Sequence, residues 1–349
     1  MGVADREFRN RASWTFFPPT GIDMAYSFYI KEIGRGKERA RDLLAEEAYH
    51  LFAALLDGGV PELELGAILM TLRMKGESAS EILGFQRAVD ERTQRLRFES
   101  AVRPIVIPSY NGARNAPNLL PLVALLLTRL GIPVLIHGVL HGEGRVATVY
   151  VLRELGILPS VSLAQAQAQL ETEGLAFLPT QVVAPGLATL LALRSRLGVR
   201  NVSHTLVKLM NPFAGDSVLM LSASHPYYLN VIRDYMVVTG GRGLLLRATE
   251  GEAFANPKRR PRIEHFADGR AEALFEEECA PLAILPNLPQ GIDATTSAAW
   301  IRRALAAEVP VPLPILHQLV CCLFASGYSS DMHQAKAVVA VATRGVSAA

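Results

Sequence analysis

The sequence predicts an α/β protein: a small, all-helical and discontinuous N-terminal domain joined to a larger α/β domain with a mostly parallel sheet. Three observations carry this. The first hundred residues set apolar side chains at helical spacing between recognisable helix starts and stops. From Ile105 onward, short apolar strands alternate with helices, which implies parallel strands. Two helical stretches, LAQAQAQLETEG and a segment across Pro185 to Leu197, then interrupt that order before strands resume.

The elements follow in order. Residues Lys37 to Asp57 place Leu43, Leu44, Tyr49, Phe52, Leu55 and Leu56 at helical spacing, and the Gly58-Gly59 pair stops that helix. Pro61 opens a second helix, in the first-turn position that proline tolerates. Ser78 and Glu81 form a capping box for a third, running to about Arg97. IVIPSY, beginning at Ile105, reads as a buried strand, NLLPLVALLLTRL as a helix, PVLIHG as a strand and about Arg145 to Leu155 as a helix. Strands resume at SVLMLS and GLLLRA. The predicted organisation is an appended extension over 1–23, a helical domain from 24–98 plus 158–198, and an α/β domain from 99–157 plus 199–349.

Composition bounds the class. A chain of 349 residues, 50% hydrophobic and 19% charged, can bury two modest cores. Its longest apolar runs, Leu119 to Thr128 and Val182 to Leu193, fall short of the roughly 20 residues a bilayer span needs. The N-terminus mixes charges with aromatics and lacks the apolar core of a signal peptide, so no membrane partner and a cytoplasmic location are expected. Cys321 and Cys322, adjacent in an apolar stretch, read as reduced core residues.

Net charge is only +2, but its distribution is uneven. No acid occurs from Ser100 to Gly142, whose charges are Arg103, Arg114 and Arg129, or from Gly174 to Gly215, which holds Arg194, Arg196, Arg200 and Lys208. A third acid-free block, Tyr235 to Thr249, carries Arg242 and Arg247, and the cluster Lys258, Arg259, Arg260 and Arg262 follows, interspersed with Pro257 and Pro261. Burial explains missing acids; it does not explain arginines.

Two stretches carry a resemblance. IHGVLHGEGRVATVYVLRELG aligns without a gap to a strand, loop and helix of the anthranilate phosphoribosyltransferase family, keeping His137 and Gly138 while Ile136, Val139 and Leu140 replace a Lys, an Asn and an Arg. Arg145 matches a basic residue that this family places against phosphates. APGLATLLALRSRLGVRNVSHTLVKLMNP aligns likewise, with Pro185, Arg194, Leu197, Gly198, Arg200, Asn211 and Pro212 in register and Val207 and Lys208 in place of a Gly-Pro. The chain thus resembles the anthranilate phosphoribosyltransferases of glycosyltransferase family 3, which implies a nucleoside phosphorylase and phosphoribosyltransferase-like fold.

Two departures alter what the resemblance implies for function. The family's glycine-rich turn, whose amides cradle diphosphate, is replaced by PSYNGARNAPN, with Gly112 its one glycine. The Asp-Glu pair that holds magnesium is missing, and Glu250 and Glu252 in ATEGEAFANP are offset from it. Asn111, Gly112, His137, Gly138 and Arg145 then mark a vestigial phosphoribosyl cleft, and no catalytic residue is assigned. IKEIGRGK, SYNGAR and LLLRATEGE resemble the YbiB-like branch of the family. That resemblance implies a homodimer joined through its helical domain that binds nucleic acid, preferring single strands and without reading sequence.

A phosphate cleft and a nucleic-acid track both need cations facing a groove. The expected phosphate contacts are Arg194, Arg196, Arg200, Lys208, Arg242, Arg247, Lys258, Arg259, Arg260 and Arg262. Tyr110, Tyr227 and Tyr228 could stack bases, although packing accounts for them as well. His137, His141 and Glu143 suggest zinc by spacing, but three glycines in that stretch make a loop and no metal is assigned. The competing reading, motivated by His137, Arg145 and Arg194, is a transferase with a phosphoribosyl donor and a changed acceptor; magnesium is expected only in that case, and otherwise no cofactor.

Overall fold

The computed structural model describes residues 26–36, 39–280 and 287–343. The extension expected over 1–23 lies outside the described residues. Helices α1 (Tyr26–Ile33), α2 (Ala45–Leu56), α3 (Glu62–Lys75) and α4 (Ala79–Glu91) come first. They are followed by β1 (Ile105–Ser109), α5 (Leu120–Arg129), β2 (Val134–Gly138), α6 (Thr148–Glu154), α7 (Leu163–Glu173) and β3 (Leu175–Pro179). Helices α8 (Thr180–Val183), α9 (Pro185–Ala192), α10 (Arg194–Leu197) and α11 (Ser203–Leu209) lead to β4 (Val218–Ala223), α12 (Pro226–Thr239) and β5 (Gly243–Arg247). The hairpin β6 (Ile263–Ala267) and β7 (Arg270–Phe275) precedes α13 (Ala294–Leu305), α14 (Leu313–Ala325) and α15 (Met332–Ala342).

The expected fold class holds. Seven strands form one sheet in the order β3-β2-β1-β4-β5-β6-β7. The first five are parallel, and β6 and β7 add an antiparallel edge. Side-chain alternation along the strands divides the core. Ile105, Ile107, Val134 and Ile136 face the layer of α5, α6, α13 and α14, while Val106, Leu135 and Leu178 face the helical domain with α11 and α12. Cys321 and Cys322 are buried in α14.

Three local expectations shift. The helix expected from Lys37 begins at Ala45, because Arg41 bridges Glu32 and Glu47 and the Glu47 carboxylate accepts from the Leu44 amide at 2.9 Å, fixing the start there. The segment 158–198, expected to be helical, contains β3, which pairs in parallel with β2. Five residues buried along their whole length carry no alternation, so LAFLP has no strand period to read. The third helix stops at Glu91, not near Arg97.

The capping box at Ser78 forms, and its glutamate does more. Glu81 is fully buried, and its carboxylate accepts from the amides of Ser78 (2.8 Å) and Leu43 (3.0 Å) and from the Lys75 ammonium (2.7 Å). One carboxylate therefore ties the start of α4 to the end of α3 and to the segment leading into α2.

Candidate functional site

In an open parallel sheet, ligands lie beyond the carboxyl ends of the strands where the strand order reverses. Here the chain goes from β1 outward to β2 and β3 and returns to place β4 on the other side of β1, so the reversal lies between β1 and β4. The loop after β1, residues 110–119, stands at that point, and two sequence features shape it. Gly112 has φ +71, and a β-carbon there would press on the Val146 backbone, so glycine suits both conformation and space. Gly138 ends β2 against β1, where a β-carbon would overlap the Ser109 carbonyl oxygen. Substituting Gly138→Ala should force the strand ends apart and cost about 1–3 kcal/mol, read as a lowered midpoint of denaturation.

Every backbone amide from Asn111 to Asn115 is already engaged. The Glu252 carboxylate accepts from the amides of Asn111 (3.1 Å) and Gly112 (2.6 Å). It also accepts from the hydroxyls of Ser109 (2.6 Å) and Thr148 (3.4 Å). Ala113 donates to the Val146 carbonyl at 3.0 Å. The Glu250 carboxylate accepts from the amides of Arg114 (3.2 Å) and Asn115 (3.1 Å). Glu250 holds a left-handed backbone, φ +56, which a non-glycine residue adopts at a cost. Glu252 is fully buried, and burial pushes its carboxyl above the usual range against the pull of its four donors. Both carboxylates are therefore committed to the loop. They do not suit magnesium, which needs carboxylate oxygens facing a cavity.

Cations surround this loop. Arg200 donates to the Asn111 side-chain oxygen, and Arg145 donates to the carbonyl of Gly112 at 3.3 Å. Neutral acceptors thus orient both guanidiniums without cancelling their charge. Burial and the neighbouring Arg200, Arg194 and Arg114 lower the Arg145 pKa, which places four arginines within one another's field. Lys208 reaches over the Tyr110 ring, with Nζ 5.7 Å from the centroid. Burial and the charge of Arg200 bring its ammonium down to about 7. Among the described residues no carboxylate lies within 4 Å of the charged groups of Arg114, Arg145, Arg200 or Lys208, and Arg194 meets Glu143 only at 3.6 Å. A cleft of about 210 Å³ opens between this loop, the loop after β2 and α9, lined among others by Tyr110, Arg194 and His204.

The remaining predicted residues separate into three groups. Arg247, Lys258 and Arg259 share a second hollow with Arg260, beside the C-terminal end of β5, two inter-strand spacings or about 10 Å from β1. Arg260 pairs with Glu278 (3.3 Å), and Arg262 pairs with Glu264 (3.2 Å) and Glu276 (2.6 Å). Arg196 turns to Glu62 on α3 at 3.0 Å. Arg242 precedes β5 at the opposite end of the sheet, between Asp216 (3.3 Å) and Asp268 (3.6 Å). His137 lies fully buried beneath the cleft, held neutral with its pKa pushed down to about 3. His204, in the cleft wall, is likewise held neutral, at about 3.

Sequence reasoning missed what Glu252 and Glu250 do, treating them only as displaced metal carboxylates. It also did not assign Arg114 to the site or place Arg73 and Tyr228, which meet at 2.6 Å across α3 and α12. No local signal marks such pairings. Zinc spacing at His137 and His141 has no structural counterpart, since His137 is buried and His141 exposed. Among the described residues no group of three His, Cys, Asp or Glu side chains could hold a metal. No described helix is long and apolar enough to cross a membrane.

The architecture defines a class: a helical bundle set on a parallel-sheet domain, with the site at the strand-order reversal. Residues 28–93 match the family model for the glycosyl transferase family, helical bundle domain. The chain is 44% identical over 311 residues to the Escherichia coli (strain K12) protein YbiB, covering 88% of this chain and 97% of that one. It is 28% identical over 272 residues to the anthranilate phosphoribosyltransferase of Thermus thermophilus, covering 77% and 80%. A solved structure of a Thermus thermophilus anthranilate phosphoribosyltransferase superposes with a TM-score of 0.73 at 26% identity, over 91% of this chain and 95% of that one. The Saccharomyces cerevisiae enzyme, solved with PRPP and Mg, shares the fold with a TM-score of 0.69 at 14% identity. This chain belongs to the anthranilate phosphoribosyltransferase-like glycosyltransferase family 3.

Proposed function

We propose that the protein binds nucleic acid, preferring single strands, through phosphate contacts that do not read bases. The observation that carries this is the set of cations at the carboxyl ends of the parallel strands: Arg114, Arg145, Arg200 and Lys208 around the β1 loop, none with a carboxylate within 4 Å among the described residues, Arg194 only loosely paired with Glu143, and Arg247, Lys258 and Arg259 beyond it in a hollow that Glu277 also lines. Guanidiniums without a paired carboxylate keep their full attraction for phosphate, and spacing over several strands suits an extended polyanion better than one small ligand. Tyr110, half-buried, lines the cleft beneath Lys208, where its ring supports a stacked base.

Fluorescence anisotropy with a labelled single-stranded oligonucleotide at several salt concentrations tests the reading. Affinity should fall linearly on logarithmic axes, with a slope that counts the phosphates neutralised. No binding at low salt overturns it. Lys208 adds a pH dependence. Its ammonium is mostly neutral above about 7 and charged below, and a bound phosphate favours the charged form, so binding takes up a proton. Affinity should therefore rise as pH falls from 8 to 6, by at most about tenfold per pH unit for one proton, and Lys208→Met should flatten the profile.

The transferase alternative has the family scaffold in its favour. Against it stand the engaged amides and carboxylates of the β1 loop, and calorimetry with phosphoribosyl pyrophosphate and magnesium distinguishes the two readings. Self-association through the helical domain belongs to the same proposal. Exposed Leu63 and Met74 on α3 support it, and sedimentation analysis tests it.

A further inference from the structure

We infer that the Glu252 carboxyl is a built-in occupant that closes the β1 loop to phosphate groups and so determines which anions this cleft accepts. Phosphate ligands at a strand-order reversal are commonly held by consecutive backbone amides, because several N–H dipoles converge on one anion. The loop from Asn111 to Asn115 stands at that point, and none of its five amides is open: two donate to Glu252, one to the Val146 carbonyl and two to Glu250.

The donors around Glu252 form the environment a phosphate oxygen would take. Two amides and two hydroxyls converge on a carboxylate with no solvent exposure, while Arg145 and Arg200 are held alongside by the same loop. A carboxylate buried among apolar groups is costly unless it is fully hydrogen-bonded, and this one has a donor on each oxygen. A ligand phosphate would have to displace a tethered carboxyl whose effective concentration is high. Phosphates entering the cleft are consequently left to side-chain cations, which grip an anion without enclosing it. Removing the carboxylate should turn the loop into an anion site of the enclosing kind.

Pyrophosphate is the probe. Calorimetry on the full chain should show Glu252→Ala binding pyrophosphate at least tenfold more tightly than the wild type. Amide NMR signals of Asn111 and Gly112 should move on titration in the variant and stay fixed in the wild type, even where Arg145 and Arg200 attract the ligand. A folded Glu252→Ala with no gain overturns the inference, and so does movement of the Asn111 and Gly112 amides in the wild type. Should the variant not fold, the wild-type titration decides alone. Oligonucleotide binding is a separate matter: its presence or absence bears on the proposed function and leaves this inference untouched.

Discussion

Replacing Arg194, Arg200 and Lys208 together by glutamine should weaken single-stranded oligonucleotide binding about 100-fold at 0.1 M salt and pH 6, where Lys208 is charged. The estimate comes from counterion release. Each phosphate neutralised on a single strand contributes about 0.7 to the slope of log affinity against log salt, so three lost contacts remove about 2. Over the decade from 0.1 M to 1 M salt, where the electrostatic advantage has gone, a slope change of about 2 is about two orders of magnitude. Two readouts must therefore move together, affinity and slope, and all oligonucleotide sequences must lose alike. Arg196 and Arg242 serve as controls. Their guanidiniums are matched by Glu62 and by Asp216 with Asp268, and Arg242 lies at the far end of the sheet, so Arg242→Gln should leave affinity and slope unchanged. An equal loss from Arg242→Gln would mean that net charge, not the cleft, drives binding.

The second large effect concerns stability. Glu81→Ala should cost about 3–5 kcal/mol, the range for breaking a buried ion pair by removing one partner. It leaves the Lys75 ammonium, with only 5% of its side chain exposed, facing Asp42 alone, and it strands the amides of Leu43 and Ser78. Glu81→Gln retains an acceptor of the same shape and should lose less. Denaturant unfolding followed by circular dichroism checks both, and equal losses would show that charge contributes nothing beyond shape. The helical domain carries Arg73, which meets Tyr228 from α12, so loosening it should also loosen that edge of the proposed interface.

Much of the fold was legible in the chain itself. Helical spacing, the Gly58-Gly59 stop, Pro61 and the Ser78–Glu81 box located α2 to α4, and the apolar runs at Ile105, Val134, Val218 and Gly243 located four of the five parallel strands. The fifth, β3, was not legible because Leu175–Pro179 is buried along its length and shows no period. Acid-free stretches pointed to Arg194, Arg200 and Lys208, and the family resemblance to Arg145; among the described residues Arg145, Arg200 and Lys208 have no carboxylate within 4 Å, while Arg194 is loosely paired with Glu143 at 3.6 Å. The same pattern misled at Arg242, since Asp216 and Asp268 lie in other loops and meet it only at the sheet's end.

What the sequence alone determined, then, is where the chain is helical, where it is extended and where positive charge accumulates, because those properties depend on neighbours a few residues apart. Only the tertiary structure decided which charges are cancelled and which donors are free. Glu252 meets Gly112 across 140 residues of chain, and no local pattern distinguishes a glutamate that binds metal from one that fills an amide cradle. The difference lies in which loops the parallel sheet brings together at its carboxyl edge.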